Sequence, residues 1–336
     1  MNQQIHSSSK YIFVLAITLF YLNITGCSKK NDNPVKYSSG FFPDTVINMG
    51  SINSQYDDYN LDLYQLSGSG PVIFSSNRNS SGNQFDLVQG MITFVFDQTN
   101  GNFSLTSSIG NDSYISALIT KANTQKNEFG PYRFYCNEDG YEYLMFSSVN
   151  SEGNLDIQYL RNRPQFSQAV PQISGPVTVS VFNSTSDDAY FSINSTQDTA
   201  YLCSSRNGDF DIYMLHKPPK TEISAWFIQN GASLTAVTNL NSSADDKCPQ
   251  VFGKVIVFSS DRPGGLGGFD LYYSVMKNGS WSSPMNFGPS VNSASNEYRP
   301  VLGLQDNFTN YFMMFSSDRP GGQGGYDLYF TGIDFE

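Results

Sequence analysis

Short hydrophobic runs broken by turn-forming residues repeat along the chain from residue 44 onward. One example is the succession CPQVFG (248–253), KVIVFSS (254–260), FDLYYSV (269–275) and WSSPMNF (281–287). These runs are rich in β-branched and aromatic residues, and Gly, Pro, Asn and Ser separate them, which is typical of β-strands joined by turns. Helical periodicity is nearly absent, so the pattern predicts an all-β protein.

A fivefold internal repeat organises these strands. FSSDRPGGLGGFDLYYS (258–274) and FSSDRPGGQGGYDLYFT (315–331) are near-duplicates, and three weaker copies precede them. The second serines of the five serine pairs are spaced by 72, 57, 55 and 57 residues: Ser76, Ser148, Ser205, Ser260 and Ser317. A second motif, an asparagine-led turn that ends in an acidic or Asn-acid pair, lies 18 to 24 residues ahead of each serine pair.

Four short strands repeated every 50 to 60 residues are typical of a β-propeller. The fifth unit ends at Glu336 without an outer strand, whereas INMGSIN (47–53) matches the end of an outer strand. We therefore predict one domain over 44–336, a propeller of five four-stranded blades closed by the N-terminal strand. The long first step indicates either an extended hairpin over 91–108 in blade one or, as the alternative, a sixth blade.

The N-terminal segment is predicted to be an export signal. An apolar run over 11–22 is too short to span a bilayer comfortably, and it precedes ITGC (24–27), which resembles the bacterial lipoprotein lipobox. This resemblance implies a signal peptide over 1–26, acylation (palmitate) of Cys27, and a lipid anchor with a polar tether over 27–43. An ordinary signal peptide is the alternative.

The residues after Cys27 bear on the predicted location. Ser28 in place of aspartate implies outer-membrane delivery by resemblance to lipoprotein sorting rules. SKKNDNP (28–34) is similar to the export signals of Bacteroidetes-type surface lipoproteins. Whether the protein faces the periplasm or the cell surface stays open.

Composition narrows the function classes. A net charge of -11 and a pI near 4.6 disfavour nucleic acid and other polyanionic partners. The aromatic share of 15% argues against disorder. Buried thiols are expected for Cys136, Cys203 and Cys248, although a disulfide remains an alternative, and the cysteine and histidine spacing predicts no metal or cofactor.

In a propeller, the acidic turns and the serine-pair hairpins reach the same end of the blades. We therefore predict an acidic collar near the channel mouth, with arginines in neighbouring hairpins, as a candidate ligand face: Asp57, Asp58, Glu128, Asp187, Asp188, Asp245, Asp246 and Glu297, with Arg78, Arg262 and Arg319. A structural role competes with ligand contact, because such residues also stabilise turns and strand ends.

Catalysis has little support in the sequence. His216 is the one histidine left after signal removal, and no nucleophile is paired with it in a Ser-His-Asp pattern. Asp62, on an inner strand, is the most suspicious single acid, but a glycosidase uses two carboxylates and no second inner-strand acid stands out. We predict no catalytic residues and no enzyme activity, leaving glycosidase activity open.

The serine-pair module resembles the WD40-like PD40 repeats of TolB-type propellers over residues 44–336. The resemblance is closest where FSSDRPGG is followed by GG, an aromatic residue and DLY. It implies a monomeric, lipid-anchored, non-enzymatic platform for an envelope protein or peptide. The alternative is a surface carbohydrate-binding or carbohydrate-active propeller in which Trp226 or Trp281 stacks on sugars.

Overall fold

The computed structural model describes residues 35–64, 69–163 and 172–335. These residues form five antiparallel sheets, and the innermost strand of each sheet contacts the next blade in a closed ring. The predicted all-β, five-bladed propeller of four-stranded blades is therefore confirmed. The export signal, Cys27 and most of the tether lie outside the described residues, so the lipid anchor and the outer-membrane location stay predictions.

Strands run from the channel outward in chain order within each blade. Blades one and two comprise β2 (Asp58–Tyr59), β3 (Ser69–Ser76), β4 (Asp86–Asp97) and β5 (Asn102–Ile109), then β6 (Glu128–Cys136), β7 (Tyr141–Val149), β8 (Leu155–Asn162) and β9 (Ile173–Thr178). Blade three comprises β10 (Asp188–Ile193), β11 (Thr199–Ser204), β12 (Asp211–His216) and β13 (Thr235–Ala236). Blade four comprises β14 (Asp246–Phe252), β15 (Val255–Ser260), β16 (Asp270–Lys277), β17 (Ser280–Trp281) and β18 (Met285–Asn286).

Blade five joins the two ends of the chain. Its strands are β19 (Glu297–Gly303), β20 (Tyr311–Ser317), β21 (Asp327–Ile333) and, on the outside, β1 (Ile47–Asn48). Ile47 pairs with Phe330 and Asn48 with Tyr329, which closes the ring as predicted and covers the edge of β21.

Part of the segment assigned to the tether also packs on blade five. Phe42 is fully buried and stacks on Phe308 with 3.7 Å between ring centroids. The side chain of Asn310 accepts a hydrogen bond from the Phe42 N–H and donates one to the Phe42 carbonyl.

The long first repeat step holds an extended β4–β5 hairpin, in which Gly90 pairs with Ile109 and Asp97 with Asn102. It also holds a helix that the sequence pattern did not predict, α1 (Ser113–Ala122). The Asp112 carboxylate accepts the Ile115 N–H and caps this helix. The apolar face of α1 packs between blades one and two, so hairpin and helix together account for the step without a sixth blade.

Other helical segments are short. They are α2 (Ile223–Phe227) and two 3-10 turns, Gly50–Ile52 and Arg78–Ser80. Among the described residues, no helix has the length and apolar character needed to cross a membrane.

Candidate functional site

The second acid of each repeated pair begins the innermost strand of its blade and is fully buried: Asp58, Glu128, Asp188, Asp246 and Glu297. In blade four, the Asp246 carboxylate accepts the N–H and hydroxyl of Ser242 at 2.6 and 2.9 Å and forms an ion pair with Arg262. Arg262 also donates to Ser260 Oγ and to the Leu240 carbonyl. The acid, the serine and the arginine therefore tie the two repeated motifs together within one blade.

Four blades carry this ion pair, in which an arginine of the serine-pair hairpin meets the second acid: Arg78 with Asp58, Arg206 with Asp188, Arg262 with Asp246, and Arg319 with Glu297. The third blade corrects the repeat register. Ser204 lies opposite Asp188 and binds Arg206, so the second serine of that repeat is Ser204 and not Ser205. Cys203 therefore occupies the buried position of the first serine, and no residue is missing before Arg206.

The asparagine that leads each acidic motif binds the neighbouring blade. Asn241 accepts the Ile212 N–H at 2.8 Å and donates to the Ile212 carbonyl at 3.0 Å. The same two-way contact between the asparagine and the third strand of the preceding blade occurs at Asn53, Asn123, Asn183 and Asn292. The motif thus joins consecutive blades around the whole ring.

The first member of each pair also binds the preceding blade. Asp245 accepts the Phe210 N–H at 2.9 Å, and Asp57 accepts the Tyr326 N–H at the same distance. Asp187 accepts the Leu155 N–H. These three acids are partly exposed at the predicted end of the propeller, and contact of the collar residues with a ligand stays a prediction.

Partly exposed aromatic rings surround the channel mouth beside these acids. They come from two repeated positions, the residue after the second acid and the residue before the third-strand aspartate, and we call them the aromatic collar: Tyr59, Phe85, Phe129, Phe210, Phe269, Tyr298 and Tyr326. Tyr59 lies 5.0 Å from Phe85 and 5.5 Å from Tyr326 between ring centroids. Lys247 Nζ lies 4.2 Å above the Phe210 ring.

The collar was missed in the sequence because its aromatic residues were attributed to strand propensity. The aromatic residue ahead of Asp-Leu-Tyr in the best repeats was the available signal. Trp226 and Trp281, the sugar-stacking candidates, are instead buried within the blades. Trp226 packs against Phe182 and Trp281 against Tyr201, so neither ring presents a face at the channel mouth.

Below the collar, the residue two positions after the second acid has a left-handed backbone in every blade. We call these residues the channel layer: Asn60, Gly130, Tyr190, Cys248 and Arg299. A Cβ on Gly130 would lie 2.5 Å from the Tyr190 ring, so this glycine makes room for the tyrosine. Asn60 Nδ2 donates to the Tyr190 hydroxyl across the channel at 3.3 Å, and the layer therefore fills the channel.

Glu128 differs from the other four second acids because it has no arginine. Asn150 stands where the arginine is expected, and Glu128 Oε1 accepts only the hydroxyls of Thr124 at 2.7 Å and Ser148 at 3.2 Å. Its Oε2 is buried with no hydrogen-bond partner. Burial, and secondarily the charge of Asp86, raise the pKa of Glu128 above its ordinary value. Glu128 therefore favours the protonated form, directly beside Phe129 of the collar.

Asp62 is held in a buried ion pair. Its Oδ2 lies 2.6 Å from Arg133 Nε, and its Oδ1 accepts the Ile73 N–H at 2.9 Å. Arg133 also donates to the Pro71 carbonyl. These contacts join blades one and two, which gives Asp62 a structural partner rather than a free carboxylate.

The three described cysteines are free and buried. Burial raises the pKa of the Cys248 thiol to about 12, and it raises that of Cys203 well above the ordinary value. Within the described ranges, no group of three or more His, Cys, Asp or Glu side chains is arranged to hold a metal ion.

We predict that Cys136, Cys203 and Cys248 do not react with a thiol reagent such as DTNB in the native protein at neutral pH. Thiolates are the reactive form, and both burial and the raised pKa values oppose their formation. All three should react when guanidinium chloride unfolds the protein. Rapid native labelling of any of them, located by peptide mass spectrometry, would contradict the buried placement.

Solved propellers resemble this fold at low sequence identity. The catalytic domain of a GH62 alpha-L-arabinofuranosidase from Coprinopsis cinerea is 14% identical and has a TM-score of 0.50, with 88% of this chain and 98% of that chain covered. An exo-beta-1,3-galactanase from Clostridium thermocellum is 12% identical, with a TM-score of 0.51 and coverage of 86% and 63%. A GH43 protein from Bacillus licheniformis is 10% identical, with a TM-score of 0.50 and coverage of 87% and 55%.

No protein-family model and no curated protein matches the sequence. The solved structures contradict the resemblance to TolB-type PD40 proteins, because the similar propellers are glycoside hydrolases. The predictions of a non-enzymatic platform and of an envelope protein or peptide partner are wrong on the same finding. The physical reason is that the serine–arginine–acid motif is buried and holds blades together, so it reports blade construction and not activity.

Proposed function

We propose that this protein is a carbohydrate-active propeller that binds a glycan at the aromatic collar. The partly exposed ring of seven aromatic side chains at the channel mouth is the observation that carries the proposal. Aromatic rings offer flat apolar faces to the C–H faces of sugars, and partly buried tyrosines add hydroxyls for hydrogen bonds. The arabinofuranosidase and galactanase named above support a glycan rather than a protein as the ligand.

The charge of the chain favours a neutral glycan. The net charge is -11, and the collar is flanked by partly exposed Asp57, Asp187 and Asp245. Acidic polysaccharides would be repelled by this rim. Neutral arabino-, xylo- and galacto-oligosaccharides are therefore the substrate class to test first.

Glu128 is the carboxyl group that we assign as proton donor in glycoside cleavage. A general acid must hold its proton near neutral pH, and burial shifts the pKa of Glu128 in that direction. Glycoside hydrolysis also needs a second carboxylate. Asp86, which begins β4 and lies close enough for its charge to act on Glu128, is the candidate for that role.

The glycan-binding proposal is tested by removing collar rings. We expect Tyr326→Ala and Phe269→Ala to weaken binding of a neutral oligosaccharide by about tenfold or more each, the loss typical of a buried aromatic contact. Isothermal titration calorimetry after a glycan array gives the affinities. Tyr135→Ala is the matched control, because Tyr135 is 41% exposed near the far end of β6 and should not affect binding.

The outcomes separate binding from catalysis. Saturable binding that the collar variants weaken, together with release of reducing sugar, supports both steps. Binding without sugar release would retain the collar but remove the role of Glu128. If the array shows no binding and no oligosaccharide is cleaved, the proposed function is wrong.

A further inference from the structure

Arg299 is a fully buried arginine of the channel layer. Its backbone N–H donates to Ser259 Oγ in blade four, and its Nη2 crosses the channel to the Pro131 carbonyl in blade two at 3.1 Å. The Tyr190 ring lies 5.7 Å from its guanidinium carbon. The positive charge therefore lies inside the propeller, below the aromatic collar.

The rest of this guanidinium group has no protein partner. Its Nε and Nη1 are buried and donate to no acceptor, and no carboxylate of the described ranges lies within ion-pair distance. Arginine cannot lose its proton to relieve this, and an uncompensated buried charge is strongly destabilising.

Other buried arginines show how this fold balances such a charge. Arg133 is buried and binds Asp62 through both Nε and Nη2. The partly buried Arg78, Arg206, Arg262 and Arg319 each meet a carboxylate. Arg299 alone among these six lacks one, so the missing negative charge must come from solution.

We propose that the channel binds one small monovalent anion of halide type at Arg299 Nε and Nη1. A guanidinium group offers fixed N–H donors along its edges, which suits a compact anion. Tyr190, Asn60 and Cys248 fill the channel around Arg299, and this enclosure favours a single ion over an acidic sugar. The site is distinct from the glycan site, which lies on the exposed rings above it.

Thermal unfolding tests this proposal. At constant ionic strength, replacing gluconate with chloride should raise the Tm of the wild-type protein by about 2–4 °C in a saturable manner. Arg299→Met should lose this response, because an apolar side chain of similar length needs no counterion. Arg262→Met keeps the channel arginine, so it should respond to chloride like the wild type, whatever its own Tm.

Crystals grown with bromide provide a second measurement that needs no variant. An anomalous peak beside Arg299 Nε and Nη1 is expected, and it decides the matter if Arg299→Met does not fold. A Tm that is equal in chloride and gluconate, together with no bromide peak, would overturn the proposal. An equal chloride response in the wild type and in Arg299→Met would overturn it too, as would stabilisation by acetate but not by halides.

Discussion

Replacing Glu128 with glutamine is expected to reduce glycoside hydrolysis by about 10²- to 10⁴-fold, the usual contribution of a general acid. Glutamine keeps the shape of the side chain and can still accept the hydroxyls of Thr124 and Ser148, so the fold should be retained. Sugar release from neutral oligosaccharides, measured at saturating substrate, gives the effect on kcat. Glu152→Gln, an exposed substitution in the same blade, is the matched control and should leave kcat unchanged.

The same variant should be more stable than the wild type at neutral pH. The pKa of Glu128 is raised by folding, so between its unfolded and folded pKa values the native state holds a proton that the unfolded state has released. The free energy of unfolding therefore falls as pH rises through that interval, and glutamine removes this loss. Urea denaturation should show wild type and variant alike near pH 4 and the variant ahead at pH 7. A variant that retains kcat, or that loses stability at pH 7, would contradict the assignment.

Replacing Arg262 with methionine is expected to lower the free energy of unfolding by about 3–5 kcal/mol, because it leaves the buried Asp246 carboxylate without its cation. The substitution also removes hydrogen bonds to Ser260 and to the Leu240 carbonyl. Urea or guanidinium chloride denaturation of the soluble domain gives the value.

Lys217→Met is the control for this loss. Lys217 pairs with Glu138 at 3.0 Å, but the Glu138 side chain is 45% exposed, so the change should be only about 0–1 kcal/mol. Similar losses in the two variants would show that burial does not set the strength of the repeated ion pair. A small loss for Arg262→Met alone would indicate that Ser242 suffices to hold Asp246.

The repeated residues could be found from the sequence, but their role could not be decided there. The spacing placed Asp246 and Arg262 at one end of one blade, which the structure bears out. Both a ligand-facing acid and a blade-holding acid would produce the same spacing. Burial distinguishes them, and burial depends on the closure of the hairpin over the carboxylate.

The resemblance to TolB-type repeats failed for a related reason. The conserved-looking part of each repeat, FSSDRPGG, supplies the serine and the arginine that hold the acid inside the blade. Any propeller that solves the same packing problem can use this motif. The residues that would distinguish one activity from another are the collar and channel-layer residues, which vary from blade to blade.

The sequence alone determined the number of blades, the four-strand module and the closure by residues 47–48, because strand patterning and repeat spacing are local properties of the chain. Only the tertiary structure decided which acids are ion-paired, that Glu128 is left without a cation, and that aromatic rings from five blades meet at one mouth. Arg299 and Pro131 are 168 residues apart in the sequence and touch across the channel. Such contacts depend on the ring geometry, which no local pattern encodes.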